Sequence, residues 1–377
     1  MKKYKEFCDF EAEFLGYLKK NGMVDCHIFD EVVSCYSFFE NKLISDIADG
    51  IDELICKMSD SREIAPEIRV FCLQEETVNA FCFCTNQHYY IGIHSATYVE
   101  LIRRTERLAD YLVQNGWGYY NGKRAGEVQG ILWTYAFKMI LVHEYMHIIL
   151  GHCDTICSER AFLWEVDACK EKNDLTILSK RELRAMELFA DEFAAKDAAW
   201  QILAGAKDVE QIKYELLNYY LGVLLVFSIF YNYGNEDESH PKLGIRLHSM
   251  IVAIDDALSK ELDALGKEVQ IEEIDVVIDT YMEIIQQFSG LFSYDIVTAL
   301  GTEEFDREYV ELYNAAADVV KLTNQRAIYP IDEFEKVDEN IVEVLDVERE
   351  VLMYASQIGM SYDEACQQIE ELKKKDI

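Results

Sequence analysis

Residues 128–152 read VQGILWTYAFKMILVHEYMHIILGH, one apolar helical stretch that carries the pentapeptide His143-Glu144-Tyr145-Met146-His147. Two histidines four residues apart project from one face of a helix, so both imidazoles can share a metal ion. Glu144 is rotated from them by one residue step. From there it can take a proton from a water that the metal activates and deliver it to a leaving amine. Zinc suits this task because it lowers the pKa of water towards neutrality. The fold is therefore expected to be organised around a buried helix with a metal at one face.

The third ligand decides the kind of centre. A metzincin would have glycine three residues after His147 and histidine three beyond that. Leu150 and Cys153 stand in those places, which excludes it. His152 reads as a residue at the C-terminal end of the same helix, where a cationic imidazole suits the helix dipole. Further on, Ser179-Lys180-Arg181-Glu182 is a capping-box signature opening SKRELRAMELFADEFAAKDAAW, a run of strong helix formers. Glu187 and Asp191 are four apart in it and share a face. Glu187 is the candidate third ligand. Asp191 is the candidate acceptor for the free imidazole N–H of one metal-binding histidine. In a chain with 70 acidic residues both could instead face solvent, but Leu188, Phe189, Ala190, Phe193, Ala194 and Ala195 make this helix a buried one. The expected cofactor is one Zn2+ per chain.

Outside these helices the texture divides the chain. Residues 1–60 have helical spacing, with Phe10, Phe14 and Leu18 at i, i+4 steps. Between 67 and 95, IRVFCL, NAFCFC and HYYIGIH are short, β-branched and aromatic, and predict strands joined by polar turns. From Ala96 the helical pattern returns almost to Ile377, and only Pro66, Pro241 and Pro330 could interrupt it. The expected fold class is α+β and predominantly helical. It comprises a metal-binding catalytic domain with a small antiparallel or mixed sheet over 61–255, a helical N-terminal region over 1–60 and a helical C-terminal region over 256–377.

Bulk properties narrow the function. The chain has 377 residues, half of them hydrophobic, enough for a sizeable core. Its formal net charge of −34 repels phosphate backbones and anionic headgroups, so no nucleic-acid partner is expected. Eleven cysteines without a repeated spacing point to reduced thiols and a cytoplasmic setting. Cys153, Cys157, Cys169, Cys82 and Cys84 read as ordinary thiols and not as a second zinc site. Acidic residues interrupt the N-terminus, which does not read as a signal peptide. Residues 216–233, LLNYYLGVLLVFSIFYNY, are without charge and close to the length of a membrane span. No basic cluster flanks them, and they are read as a buried core helix.

The motifs in order resemble the gluzincins, zinc metallopeptidases with HExxH on one helix and a glutamate ligand on a second, and more narrowly the family of the CAAX prenyl endopeptidase and the heat-shock protease HtpX. Asn79-Ala80-Phe81 matches that family's strand ahead of the metal helix, Glu187–Asp191 with Ala190 matches its ExxAD, and Ser239-His240-Pro241 with Arg246 matches its last motif. The resemblance covers residues 68 to about 250 and implies a zincin-like fold and a zinc-dependent endopeptidase. It implies that His240 donates a hydrogen bond to the oxyanion, that Arg246 supports the site electrostatically, and that Asn79, Ala80 and Phe81 offer a strand edge to a protein or peptide substrate. The position after His-Pro is often a second proline in that family and is Lys242 here. Two other readings stand beside it: a relative of the ImmA/IrrE regulators with one protein target, and a zinc-stabilised interaction module without catalysis. The intact Glu144 argues against the last, since a structural zinc needs no base.

Overall fold

The computed structural model describes residues 67–73, 77–85, 88–159, 178–232, 240–264, 271–287, 303–328 and 330–331. The expected N-terminal helical region, Ser239 and Cys169 lie outside them. The described chain is predominantly helical with one small sheet. It begins with β1 (Glu67–Leu73), β2 (Ala80–Thr85) and β3 (His88–His94). The helices follow as α1 (Ser95–Gln114), α2 (Ala125–Ile149), α3 (His152–Glu159), α4 (Lys180–Gly205), α5 (Val209–Asn232), α6 (Leu243–Ala264), α7 (Ile271–Gln287) and α8 (Glu303–Thr323).

The sheet has the order β1-β3-β2 and is mixed: β1 runs parallel to β3, and β2 antiparallel. Tyr90, Ile91 and Ile93 of the central strand are all buried, so both faces of β3 are covered. This is why HYYIGIH reads as a nearly continuous apolar run without strict alternation. On β2, Ala80, Cys82 and Cys84 pack against the main core. The Phe81 ring lies over Gly92, its partner in register; a Cβ there would sit 2.3 Å from the ring. Among the described residues no strand pairs with the outer edge of β2.

Helix α2 is apolar on all sides because it is surrounded, with α1, α4 and α5 packed around it and β2 and β3 beside it. Gly222 of α5 lets that helix approach α2 closely, since a Cβ there would stand 2.9 Å from the Ala136 backbone nitrogen. By length and composition α5 could cross a membrane, and 83% of its apolar window is buried inside the protein. Asn218 and Ser228, two of its buried polar residues, are satisfied internally. Asn218 accepts from the Tyr120 hydroxyl at 2.8 Å, and Ser228 accepts from Arg104 at 3.0 Å, with Arg104 paired to the buried Glu100. The packing agrees with a core helix.

Two expectations are corrected. Helix α2 does not run on to residue 152. It stops at Ile149, Gly151 takes a left-handed conformation (φ 75°), and His152 opens α3. Glycine is required there twice over, by its φ and because a Cβ would lie 2.7 Å from the Ala327 backbone nitrogen. The boundary expected near residue 255 falls within α6, which continues unbroken to Ala264. Helix α8, from the C-terminal region, packs on α4 and α6, and Leu188, Ile245 and Leu312 form a small apolar cluster where the three meet.

The same junction buries an acid. Glu192 is 4% exposed and accepts from the Ser249 hydroxyl at 2.7 Å. Burial pushes its carboxyl up to about 7, against the hydrogen bond from Ser249 and the charge of Lys196. Between an unfolded value near 4.5 and the folded value, the folded chain holds a proton that the unfolded chain has lost. Stability therefore falls as pH rises through that window and levels off above it. Glu192→Gln should remove this slope and gain about 3 kcal/mol over the parent at pH 8, with little difference at pH 4.5. Denaturant unfolding at the two pH values measures it, and parallel pH profiles would count against the assignment.

Candidate metal centre

Helices α2 and α4 pack directly against each other, and each brings one i, i+4 pair to the contact. From α2 come His143 and His147, and from α4 come Glu187 and Asp191. The capping box expected at the start of α4 is present, with Ser179 Oγ accepting from the Glu182 N–H and the Glu182 carboxylate accepting from the Ser179 N–H. It fixes where α4 begins, and the phase of the helix then turns Glu187 and Asp191 towards α2.

His143, His147 and Glu187 form a group that can hold a metal ion. The two Nε2 atoms are 3.2 Å apart, His143 Nε2 is 3.3 Å from Glu187 Oε2, and His147 Nε2 is 3.4 Å from Glu187 Oε1. Ligands at ~2.0–2.1 Å from a tetrahedral zinc stand about 3.3 Å from one another. The two nitrogens thus stand at the spacing of two corners of such a tetrahedron, each with a different oxygen of the Glu187 carboxylate at a similar distance, and one donor atom from each of the three residues lies within 4.8 Å of the others. Two imidazole nitrogens and one carboxylate are a donor set that zinc accepts, and three ligands leave one position for water.

The surrounding groups hold this arrangement. Asp191, fully buried, places Oδ1 2.8 Å from His143 Nδ1. Arg246, from α6, grips the same carboxylate with Nε at 2.6 Å and Nη2 at 2.9 Å. Its guanidinium lies 4.4 Å from the centre of the Phe227 ring on α5, and Nη2 reaches within 3.9 Å of Glu187. A buried carboxylate with a bidentate arginine is satisfied and directional, so His143 is held with Nε2 facing the other ligands. His240 stands at the open side, 33% exposed, with Nε2 3.6 Å from Glu187 Oε2.

Charges follow from these contacts. Burial opposes a charge on His143, yet the carboxylates of Asp191 and Glu187 hold it up at about 10. Burial and the charged His143 bring His147 down to about 4, although Glu187 pulls the other way. Burial works against the Glu187 carboxylate, but His240, His147 and His143 hold it well below the usual range. Glu144 is buried and stands outside the ligand group. Burial pushes its carboxyl up to about 7, with Glu187 adding to the rise and His143, the Cys82 thiol and His240 opposing it.

Of the residues expected at the site, His143, His147, Glu187, Asp191, His240 and Arg246 are brought together, with Glu144 beside them. The strand residues Asn79, Ala80 and Phe81 occupy the start of β2, where Asn79 Oδ1 accepts from the Ala80 N–H at 2.9 Å and the Asn79 backbone is tied to Thr97 at the start of α1. Cys82, next on the strand, reaches Glu144 and lies with Sγ 3.0 Å from Cys153 Sγ, the two not joined in a disulfide. His94, unassigned from sequence, is structural, with Nδ1 3.0 Å from the Thr77 hydroxyl. Sequence reasoning put His152 at the end of the same helix and missed its contact with His147, Nδ1 to Nδ1 at 3.0 Å. The Leu150-Gly151 step was the available signal, because a glycine after an apolar helix marks its end and releases the next residue from the helical phase. No family model matches this chain, and no curated protein or solved structure matches it.

Proposed function

We propose that this chain is a zinc-dependent endopeptidase of gluzincin type, with a zincin-like catalytic core, holding one zinc through His143, His147 and Glu187. The observation that carries the reading is the cluster of His143, His147 and Glu187, whose two ring nitrogens and two carboxylate oxygens approach at 3.2–3.4 Å, with a buried carboxyl, Glu144, beside it and not in it. A site built only for structure has no use for that carboxyl.

Zinc, when bound, supplies a Lewis acid that makes water nucleophilic near neutral pH and polarises a carbonyl. The protein's own groups supply the rest. Glu144, with a carboxyl near 7, is matched to accept a proton at neutral pH and to return it to the leaving amine. His240 stands on the open side, placed to donate from Nε2 to the oxygen that becomes negative when a peptide carbonyl is attacked. Asp191 holds His143, and Arg246 holds Asp191, so Arg246 acts on the ligands through that carboxylate. Strand β2, at the edge of the sheet, packs against α2, and Cys82 links it to Glu144. An extended peptide hydrogen-bonded along this edge would pass the base and the metal. The substrate is accordingly a protein or peptide, and the acidic chain disfavours nucleic acid as a partner. The Cys82–Cys153 thiol pair, close but not joined in a disulfide, suits a reducing, cytoplasmic setting.

The deciding experiment compares new protein N-termini in a lysate treated with the zinc-loaded chain or with its Glu144→Gln variant. Termini that appear only with the parent support the reading. Identical sets would leave a metal-binding module without peptidase activity.

A further inference from the structure

We infer that His152 is a positioning residue that fixes the ring of His147 for metal binding, a role that rests on the metal-centre reading above. The two imidazoles meet Nδ1 to Nδ1 at 3.0 Å, edge to face, in a fully buried setting. His147 faces the other ligands through Nε2, so its proton must reside on Nδ1 when Nε2 binds a metal. That N–H then donates to His152 Nδ1, and His152 must carry its own proton on Nε2.

The two ligand histidines are therefore held differently. His143 is backed by a carboxylate that is itself gripped by arginine. His147 is backed by a second, neutral imidazole supplied by another helix. Metal-binding histidines regularly donate their free N–H to such a partner, which fixes both tautomer and orientation. The cost of the arrangement points the same way. Among the described residues His152 Nε2, which is buried, has no hydrogen-bond partner, and an unmet polar group of this kind costs roughly 1–3 kcal/mol. An apolar side chain would serve the packing better. A residue that breaks a folding rule in contact with a candidate ligand is expected to act there. The left-handed turn at Gly151 makes the contact possible, because along an unbroken helix a residue five beyond His147 would leave its face.

The test measures zinc affinity of the full chain by competition with a chelator, for the parent, His152→Leu and His152→Asn. Leucine fills the space and accepts nothing, and the asparagine side-chain oxygen can stand where Nδ1 stood. His152→Leu should bind zinc roughly 10–100-fold more weakly while its metal-free form is folded at least as stably, and His152→Asn should restore most of the loss. Parent-like affinity in His152→Leu, or an asparagine variant no better than leucine, would overturn the role and leave the metal centre standing. No zinc binding by the parent would overturn both. Should His152→Leu fail to fold, nitrogen NMR of the zinc-loaded parent decides: a proton on His152 Nε2 supports the role, and one on Nδ1 overturns it.

Discussion

Glu144→Gln is expected to keep zinc at the parent's occupancy and to lower peptide hydrolysis by roughly 10²–10⁴-fold. Occupancy should hold because Glu144 is not in the ligand group and the three donors are positioned by α2, α4 and Asp191. Packing should hold because glutamine has the same shape and its side-chain oxygen can still accept from Cys82. What is lost is a basic oxygen. The parent carboxyl, pushed up to about 7 by burial, can cycle between its two forms near neutral pH, and an amide cannot. Metal analysis alongside turnover of a cleaved protein measures both parts. Undiminished cleavage by the variant would remove Glu144 as the base.

Glu187→Ala is expected to weaken zinc binding by more than the ~10–100-fold that loss of an outer partner costs, since it removes a ligand and the negative charge of the donor set. The fold should tolerate the change. Glu187 is part-exposed, and the Asp191–Arg246 pair that ties α4 to α6 does not depend on it. The variant should also lose the charge that holds His240 near the site. Chelator competition on the folded variant measures the effect, and an affinity equal to that of the parent would show that the metal takes its third ligand elsewhere.

Much of this site is legible in the sequence, for a local reason. The pairs His143/His147 and Glu187/Asp191 each lie within one helix, where a spacing of four puts side chains on one face whatever surrounds them. Apolar neighbours of Glu187 and Asp191 mark their face as buried, and Asp191 is indeed fully buried. The three strands are legible from their β-branched and aromatic runs. His152 is not legible in the same way, because periodicity carries the helical phase of α2 past Gly151, where the chain in fact turns. The boundary near residue 255 is absent because a change of texture is not a break in a helix.

By itself, then, the sequence determined which side chains could act as donors, which pairs share a face, and that the helices bearing them would be buried, since helical and strand periods are properties of the backbone. Only the tertiary structure decided that the two pairs meet at 2.8–3.4 Å and that Arg246 closes on Asp191. It alone set β2 at an edge beside Glu144 and turned His152 back onto His147. Those juxtapositions join residues of different elements. They depend on how α2, α4 and α6 pack, and on one left-handed glycine, which no periodicity along a single element records.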